Sequence, residues 1–123
     1  SDALALLDPF LEIQFVSADH RGFEISKARI VNDMKRPLEL VSSKNRLAWI
    51  KERWDPETVI YMGDGIFDHY IFKAVGYSIA PDNGDSYTKS CANYVTQRKG
   101  GDRAVSEASL HILNKFFEPI NPN

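Results

Sequence analysis

Apolar and polar positions along this chain switch between a period of two and a period near 3.6, and the switches mark out a series of short strands and helices. Leu4, Leu6, Leu7, Phe10 and Leu11 open the chain with a helix-like pattern. Leu11 to Val16 then alternates residue by residue and runs into the polar Ser17–His20, which predicts a strand followed by a loop. Phe23, Ile25, Ala28, Ile30, Val31 and Met34 fall at helical spacing, and Pro37, which has no amide proton to give, ends that helix. Leu38–Val41 predicts a short strand. Ser42 and Ser43 then predict a cap for a helix from Lys44 to about Trp54, with Leu47, Ile50 and Trp54 on one face.

Asp55-Pro56-Glu57 breaks that helix, and Thr58–Met62 follows as a nearly continuous apolar run, the pattern of a strand buried on both faces of a parallel sheet. Gly63-Asp64-Gly65 ends the run. Ile66–Val75 predicts a short helix, Gly76–Ala80 a further strand, and Pro81–Asp85 a turn-rich loop. A weak helix over Asp85–Cys91 leads to a last strand, Tyr94–Thr96. Beyond Gly100 and Gly101, Asp102–Phe117 predicts a capped amphipathic helix. Strands and helices alternating with short connections predict an α/β fold: one three-layer, Rossmann-like domain over residues 1–123, with a mainly parallel sheet.

Composition narrows the function classes. Fifteen basic against 17 acidic residues give a formal charge of -2, so no basic field for nucleic acid and no polybasic membrane patch is expected. No apolar run approaches the roughly 20 residues of a membrane span. Cys91 is the single cysteine, without zinc-ligand spacing around it, which suggests a reducing, cytoplasmic setting.

In an open parallel sheet, ligands bind at the carboxyl ends of the strands. Ser17, Lys44, Asp64 and Asp68 fall at or just beyond such ends. A hydroxyl, an ammonium and two carboxylates on one edge suit phosphoryl transfer: the hydroxyl and nearby amides hold phosphate oxygens, the lysine offsets their charge, and the carboxylates hold a hard cation. Each has a plainer reading. Ser17 alone reads as a helix cap, Lys44 as a solvated helix start, and Gly63-Asp64-Gly65 as a turn. His20 and His69 read as surface or supporting residues. Lys99-Gly100-Gly101 reads as a phosphate-cradling turn or as a plain turn capped by Asp102. Trp49, Trp54, Phe116 and Phe117 read as core or interface.

Taken in order, Ser17, Lys44 and Gly63-Asp64-Gly65-Ile66-Phe67-Asp68 resemble motifs II, III and IV of the haloacid dehalogenase (HAD) superfamily. The likeness is closer to its capless subgroup, typified by 3-deoxy-manno-octulosonate 8-phosphate (KDO 8-phosphate) phosphatases. Leu11–Ser17 matches the motif II strand, Val59–Asp68 motif IV, and Ala74–Ala80 the strand after it. Ala92–Gly101, with Ala104, Val105 and Glu107, resembles the subgroup's closing segment. Ser17-Ala18-Asp19 departs from the Thr-Gly-Arg often found at motif II, with Arg21 nearby, and Arg103 and Ser106 stand where glycine and arginine are common.

The resemblance implies a magnesium-dependent phosphomonoesterase for a small phosphorylated substrate such as KDO 8-phosphate, working through an aspartyl-phosphate. It implies Asp64 as a direct Mg2+ ligand and Asp68 as support for the metal or its waters. Ser17 and the Ala18 amide would bind phosphoryl oxygens, and Lys44 would bind phosphate and stabilise the nucleophile. A homo-oligomer, commonly a tetramer, would cover the site. The Asp-x-Asp of motif I is absent from these residues, and the resemblance places it, with the central strand of the sheet, ahead of Ser1. The alternative reading is a non-catalytic HAD-like oligomerisation or regulatory module.

Overall fold

Parallel strands in two groups form the middle of the molecule, in a computed structural model that describes residues 2–18 and 36–117. Strand β1 (Phe15–Ser17) pairs with β2 (Leu38–Leu40), placing Phe15 opposite Leu38 and Ser17 opposite Leu40. Strands β3 (Ile60–Met62), β4 (Tyr77–Ala80) and β5 (Tyr94–Val95) form a second sheet in that order. Every pairing among the described residues is parallel, as the alternation of elements predicts.

Helices cover both faces. The short α1 (Asp2–Ala5) and the long α5 (Asp102–Ile112), with its π-helical extension Leu113–Phe117, pack on one side. There Leu4, Leu7, Ile79, Ala108, Ile112 and Leu113 make a buried cluster. On the other side Ile50 of α2 (Arg46–Arg53) and Ile71 and Phe72 of α3 (Asp68–Phe72) close over Tyr61 and Ala80. Helix α4 (Ser86–Cys91) packs beside α3. The result is the expected three-layer α/β arrangement. Among the described residues no helix is long and apolar enough to cross a membrane.

Several boundaries differ from the periodicity for physical reasons. The alternation predicts a strand over Leu11–Val16, yet the ladder covers only Phe15–Ser17, because β2 offers a partner over three positions. The alternation is nonetheless real: Leu11, Ile13 and Phe15 all pack against the α1/α5 cluster. Thr58 belongs to a 3-10 turn (Pro56–Thr58) capped by Asp55, whose carboxylate accepts from the Glu57 amide at 3.1 Å, so β3 starts later. The strand buried on both faces is β4, where Ser78, Ile79 and Ala80 are each inaccessible.

Helix starts also move. Residues 42–45 form a turn in which Ser42 Oγ accepts from the Asn45 amide at 3.3 Å, so α2 begins at Arg46 rather than Lys44. Gly101, at φ 104, occupies the cap position of α5, and Asp102 is the first helical residue instead of the cap. Trp49 and Trp54 meet edge to face at 5.4 Å against the α2/α3 cluster, and Phe117 stacks on Phe10 at 4.9 Å. Asp19, His20, Arg21 and the helix expected over Phe23–Met34 lie outside the described residues.

Candidate active site

Chain direction at the end of β3 is set by a glycine. A Cβ on Gly63 would overlap the Asp68 carboxylate and come within 2.8 Å of the Tyr61 ring. With no side chain there, Asp68 folds back under the loop. Its Oδ2 accepts from the Gly65 amide at 2.8 Å, and its own amide donates to the Gly65 carbonyl at 3.1 Å. Its Oδ1 accepts from the Tyr61 hydroxyl at 2.8 Å. That hydroxyl in turn accepts from Arg46 Nη1 at 2.9 Å, while Arg46 Nη2 donates to the Val41 carbonyl at 2.8 Å. Arg46, Tyr61 and Asp68 are all buried, at 8%, 8% and 6% exposure. Burial, followed by the negative charge of Asp68, pushes the Tyr61 phenol well above its usual range, and Arg46 opposes that rise.

Asp64 stands above this network. Its side chain is exposed and makes no hydrogen bond or ion pair among the described residues, whereas its backbone is braced. The Asp64 carbonyl accepts from the Asp85 amide at 2.9 Å, and Gly84 packs so closely that a Cβ there would sit 3.4 Å from Asp64 Cα. Asp85 caps α4 by accepting from the Thr88 amide at 3.0 Å, and the fully buried Thr88 sends its hydroxyl to the Gly65 carbonyl at 2.8 Å. A rigid loop thus presents one carboxylate with its oxygens unengaged.

The other predicted residues are placed as follows. Ser17 closes β1, half-buried, with its carbonyl accepting from the Val41 amide at 2.8 Å, and Ala18 follows it at the surface. Lys44 lies exposed in the turn before α2, without an ion pair among the described residues. The buried cation at this edge is Arg46, which the motif reading passes over. Its signal is positional: Arg46 stands four residues before Ile50, on the apolar face of the helix, where a charge is rare unless partnered. Because Arg46 holds both the Val41 carbonyl beyond β2 and the Tyr61–Asp68 pair at β3, it ties the carboxyl ends of the two sheets together.

Between the sheets lies a cleft of about 400 Å³. Glu12–Val16 forms one wall and Ile60–Asp64 the other, with apolar side chains of α1 and α5 as its base and Gly63, Asp64, Pro81 and Gly100 at its mouth. Among the described residues, β1 pairs only with β2, and β3 only with β4, so an open edge of each faces the cleft. Beside the mouth, Glu107 of α5 accepts from the Gln97 and Arg98 amides at 2.9 and 3.0 Å and from the Tyr94 hydroxyl at 2.6 Å. Asn83 accepts from the Gly100 amide at 2.6 Å. This clamp leaves Arg98, Lys99 and Arg103 exposed around a shallow basin.

For a divalent cation, the donor set offers the Asp64 carboxylate, a hard oxygen ligand suited to Mg2+. Asp68 is already engaged through both oxygens, and no group of three metal-ligating side chains occurs among the described residues. The residues present therefore fit one direct ligand from this loop, with Asp68 fixing the loop itself.

A parallel α/β sheet with helices on both faces, an acidic Gly-Asp-Gly loop and a cation at its carboxyl edge define a class. The chain matches the haloacid dehalogenase-like hydrolase family over residues 45–108 and belongs to it. A phosphoglycolate phosphatase of Methanosarcina acetivorans is 32% identical over 119 residues, covering 83% of this chain and 52% of that protein. The chain therefore spans about half the length of this relative. Among solved structures, a 3-deoxy-D-manno-octulosonate 8-phosphate phosphatase from Yersinia pestis superimposes with a TM-score of 0.71 at 25% identity, covering 90% of this chain and 61% of that one. The corresponding Moraxella catarrhalis enzyme, solved with magnesium, phosphate and KDO, shares the fold at a TM-score of 0.72 and 20% identity, covering 91% of this chain and 66% of that one.

Proposed function

We propose that this chain is the phosphate- and magnesium-handling part of a phosphomonoesterase acting on a small phosphorylated acid, with KDO 8-phosphate as the leading candidate. The observation that carries the reading is Asp64: a carboxylate unpaired among the described residues, exposed at the end of β3 on a loop held from three sides. Mg2+ bound there would neutralise phosphate oxygens and polarise the phosphorus. Asp64 would ligate it directly, Asp68 would keep the loop in place, and Ser17 with the Ala18 amide would bind phosphoryl oxygens. Lys44, exposed and without an ion pair among the described residues, would turn toward an anion. The exposed cluster of Arg98, Lys99 and Arg103 beside the mouth suits a substrate whose second charge is a carboxylate.

In this reading the nucleophilic aspartate stands on a strand seated in the cleft between β1 and β3. The protein works in the cytoplasm as a homo-oligomer, commonly a tetramer, which sedimentation would measure. The M. acetivorans relative makes 2-phosphoglycolate the second substrate to try. The test is to assay the full-length gene product with Mg2+ against KDO 8-phosphate, 2-phosphoglycolate and uncharged sugar phosphates. Turnover of the acids that vanishes in Asp64→Ala supports the proposal. Unchanged turnover in that variant would sink the metal assignment, and inactivity against every phosphate would favour a non-catalytic HAD-like module.

A further inference from the structure

We infer that Tyr61 is a positioning residue for the metal-bearing loop, coupling the buried Arg46 to the geometry of Asp64 through Asp68; this rests on the assignment of Asp64 as the Mg2+ ligand. The position calls for an apolar side chain. It lies in the middle of β3, faces the α2/α3 cluster and packs edge to face with Phe72 at 6.0 Å. A phenylalanine would satisfy all of that. The chain instead buries a hydroxyl, which is costly unless both its hydrogen-bonding capacities are used. Here both are used, and between two charges: Arg46 donates to it at 2.9 Å and it donates to Asp68 at 2.8 Å.

The phenol bridges a long ion pair. Arg46 Nη1 remains 3.8 Å from Asp68 Oδ1, and Arg46 Nε has no hydrogen-bond partner among the described residues, so the guanidinium is oriented toward Tyr61 and Val41 rather than docked on the carboxylate. With Oδ1 fixed by Tyr61, the other oxygen points at the Gly65 amide, and the carboxylate fills the space that the missing Cβ of Gly63 leaves. Asp64 sits between those two glycines. Its side chain makes no hydrogen bond or ion pair among the described residues, so its direction depends on how firmly Gly63 and Gly65 are held. Hydrogen-bonding partners behind a ligand tune metal affinity in this manner.

The experiment is isothermal titration calorimetry of Mg2+ alone into the full-length protein, comparing wild type with Tyr61→Phe, Arg46→Lys and Asp64→Asn, and with circular dichroism to confirm folding. Tyr61→Phe should remain folded and bind Mg2+ on the order of 10-fold more weakly. Arg46→Lys, which loses the two-pronged grip on Tyr61 and Val41, should weaken binding in the same direction. Folded Tyr61→Phe with wild-type affinity would overturn the inference, since a purely structural tyrosine would lower the melting temperature and leave affinity alone. If Tyr61→Phe does not fold, Arg46→Lys decides by the same criterion. Wild-type protein that binds no Mg2+, or binds it equally well as Asp64→Asn, would bring down the metal assignment as well; an unaffected Tyr61→Phe beside a silent Asp64→Asn would bring down only the positioning role.

Discussion

Tyr94 and Glu107 meet through a 2.6 Å hydrogen bond that joins β5 to α5, with the same carboxylate also accepting from the amides of Gln97 and Arg98. One side chain therefore ties the strand-to-helix connection back onto α5. The Glu107 bond, followed by burial, pushes the Tyr94 phenol up to about 12.

Glu107 should make the fold acid-sensitive. Burial works to raise its carboxyl, but the bonds from Tyr94, Gln97 and Arg98 outweigh it and leave the pKa below the ordinary value of 4.5. A carboxyl held low contributes its stability above the unfolded-state value and loses it as pH falls through the folded-state value. Glu107→Gln should cost about 1–2 kcal/mol at neutral pH. In denaturant titrations the gap to wild type should close below pH 4.5; a gap that persists in acid would point to shape rather than charge.

His111 predicts a second pH effect at milder acidity. Its ring stacks on Tyr94 at 3.7 Å, and its Nε2 lies 2.7 Å from the Tyr77 hydroxyl. Burial, then Lys115, lowers its pKa below the ordinary 6.5, with Glu107 pulling the other way. For a histidine whose folded value is lowered, the unfolded chain takes up the proton first, so stability falls as pH drops below 6.5 toward the folded value. Melting curves of His111→Phe should show a weaker dependence across that range.

Lys44 and Arg46, two positions apart, should respond very unequally to removal. Lys44→Met touches an exposed side chain and should change stability by less than about 0.5 kcal/mol. Arg46→Met leaves the buried Asp68 carboxylate without its neighbouring cation and the Val41 carbonyl without its donor, and should cost about 3 kcal/mol. Equal costs in urea melts would mean that the buried network contributes little.

Asp64→Ala should separate folding from metal response. With no hydrogen bond or ion pair to lose among the described residues, the variant should match the wild-type stability within about 0.5 kcal/mol without metal, and Mg2+ should no longer raise its melting temperature. A variant that still gains from Mg2+ would place the ion elsewhere.

Gly76→Ala tests packing away from the site. A Cβ there would run into the carbonyl group of Glu57, 2.9 Å from its carbon, and backbone yields less readily than a side-chain tip. A loss of about 3 kcal/mol or more is expected in thermal melts, without a change in Mg2+ affinity for the folded fraction.

By itself, the sequence determines the features that depend on near neighbours. The alternation of periods gives the parallel α/β class and the order of elements, and Gly63-Asp64-Gly65 after an apolar run gives the position of the acidic loop. Leu11, Ile13 and Phe15 reveal the inward face even where no ladder forms. Tertiary structure decided what depends on partners far along the chain. The length of β1 follows from the three residues β2 offers it. Whether Lys44 or Arg46 is buried follows from the turn at residues 42–45, which sets the phase of α2. Tyr61 reads as an apolar strand residue until Arg46, 15 positions before it, and Asp68, 7 after it, arrive at its hydroxyl. Periodicity specifies which face of an element turns inward, but the partner of a buried polar atom is fixed only when separate elements pack, because hydrogen bonds need both distance and direction.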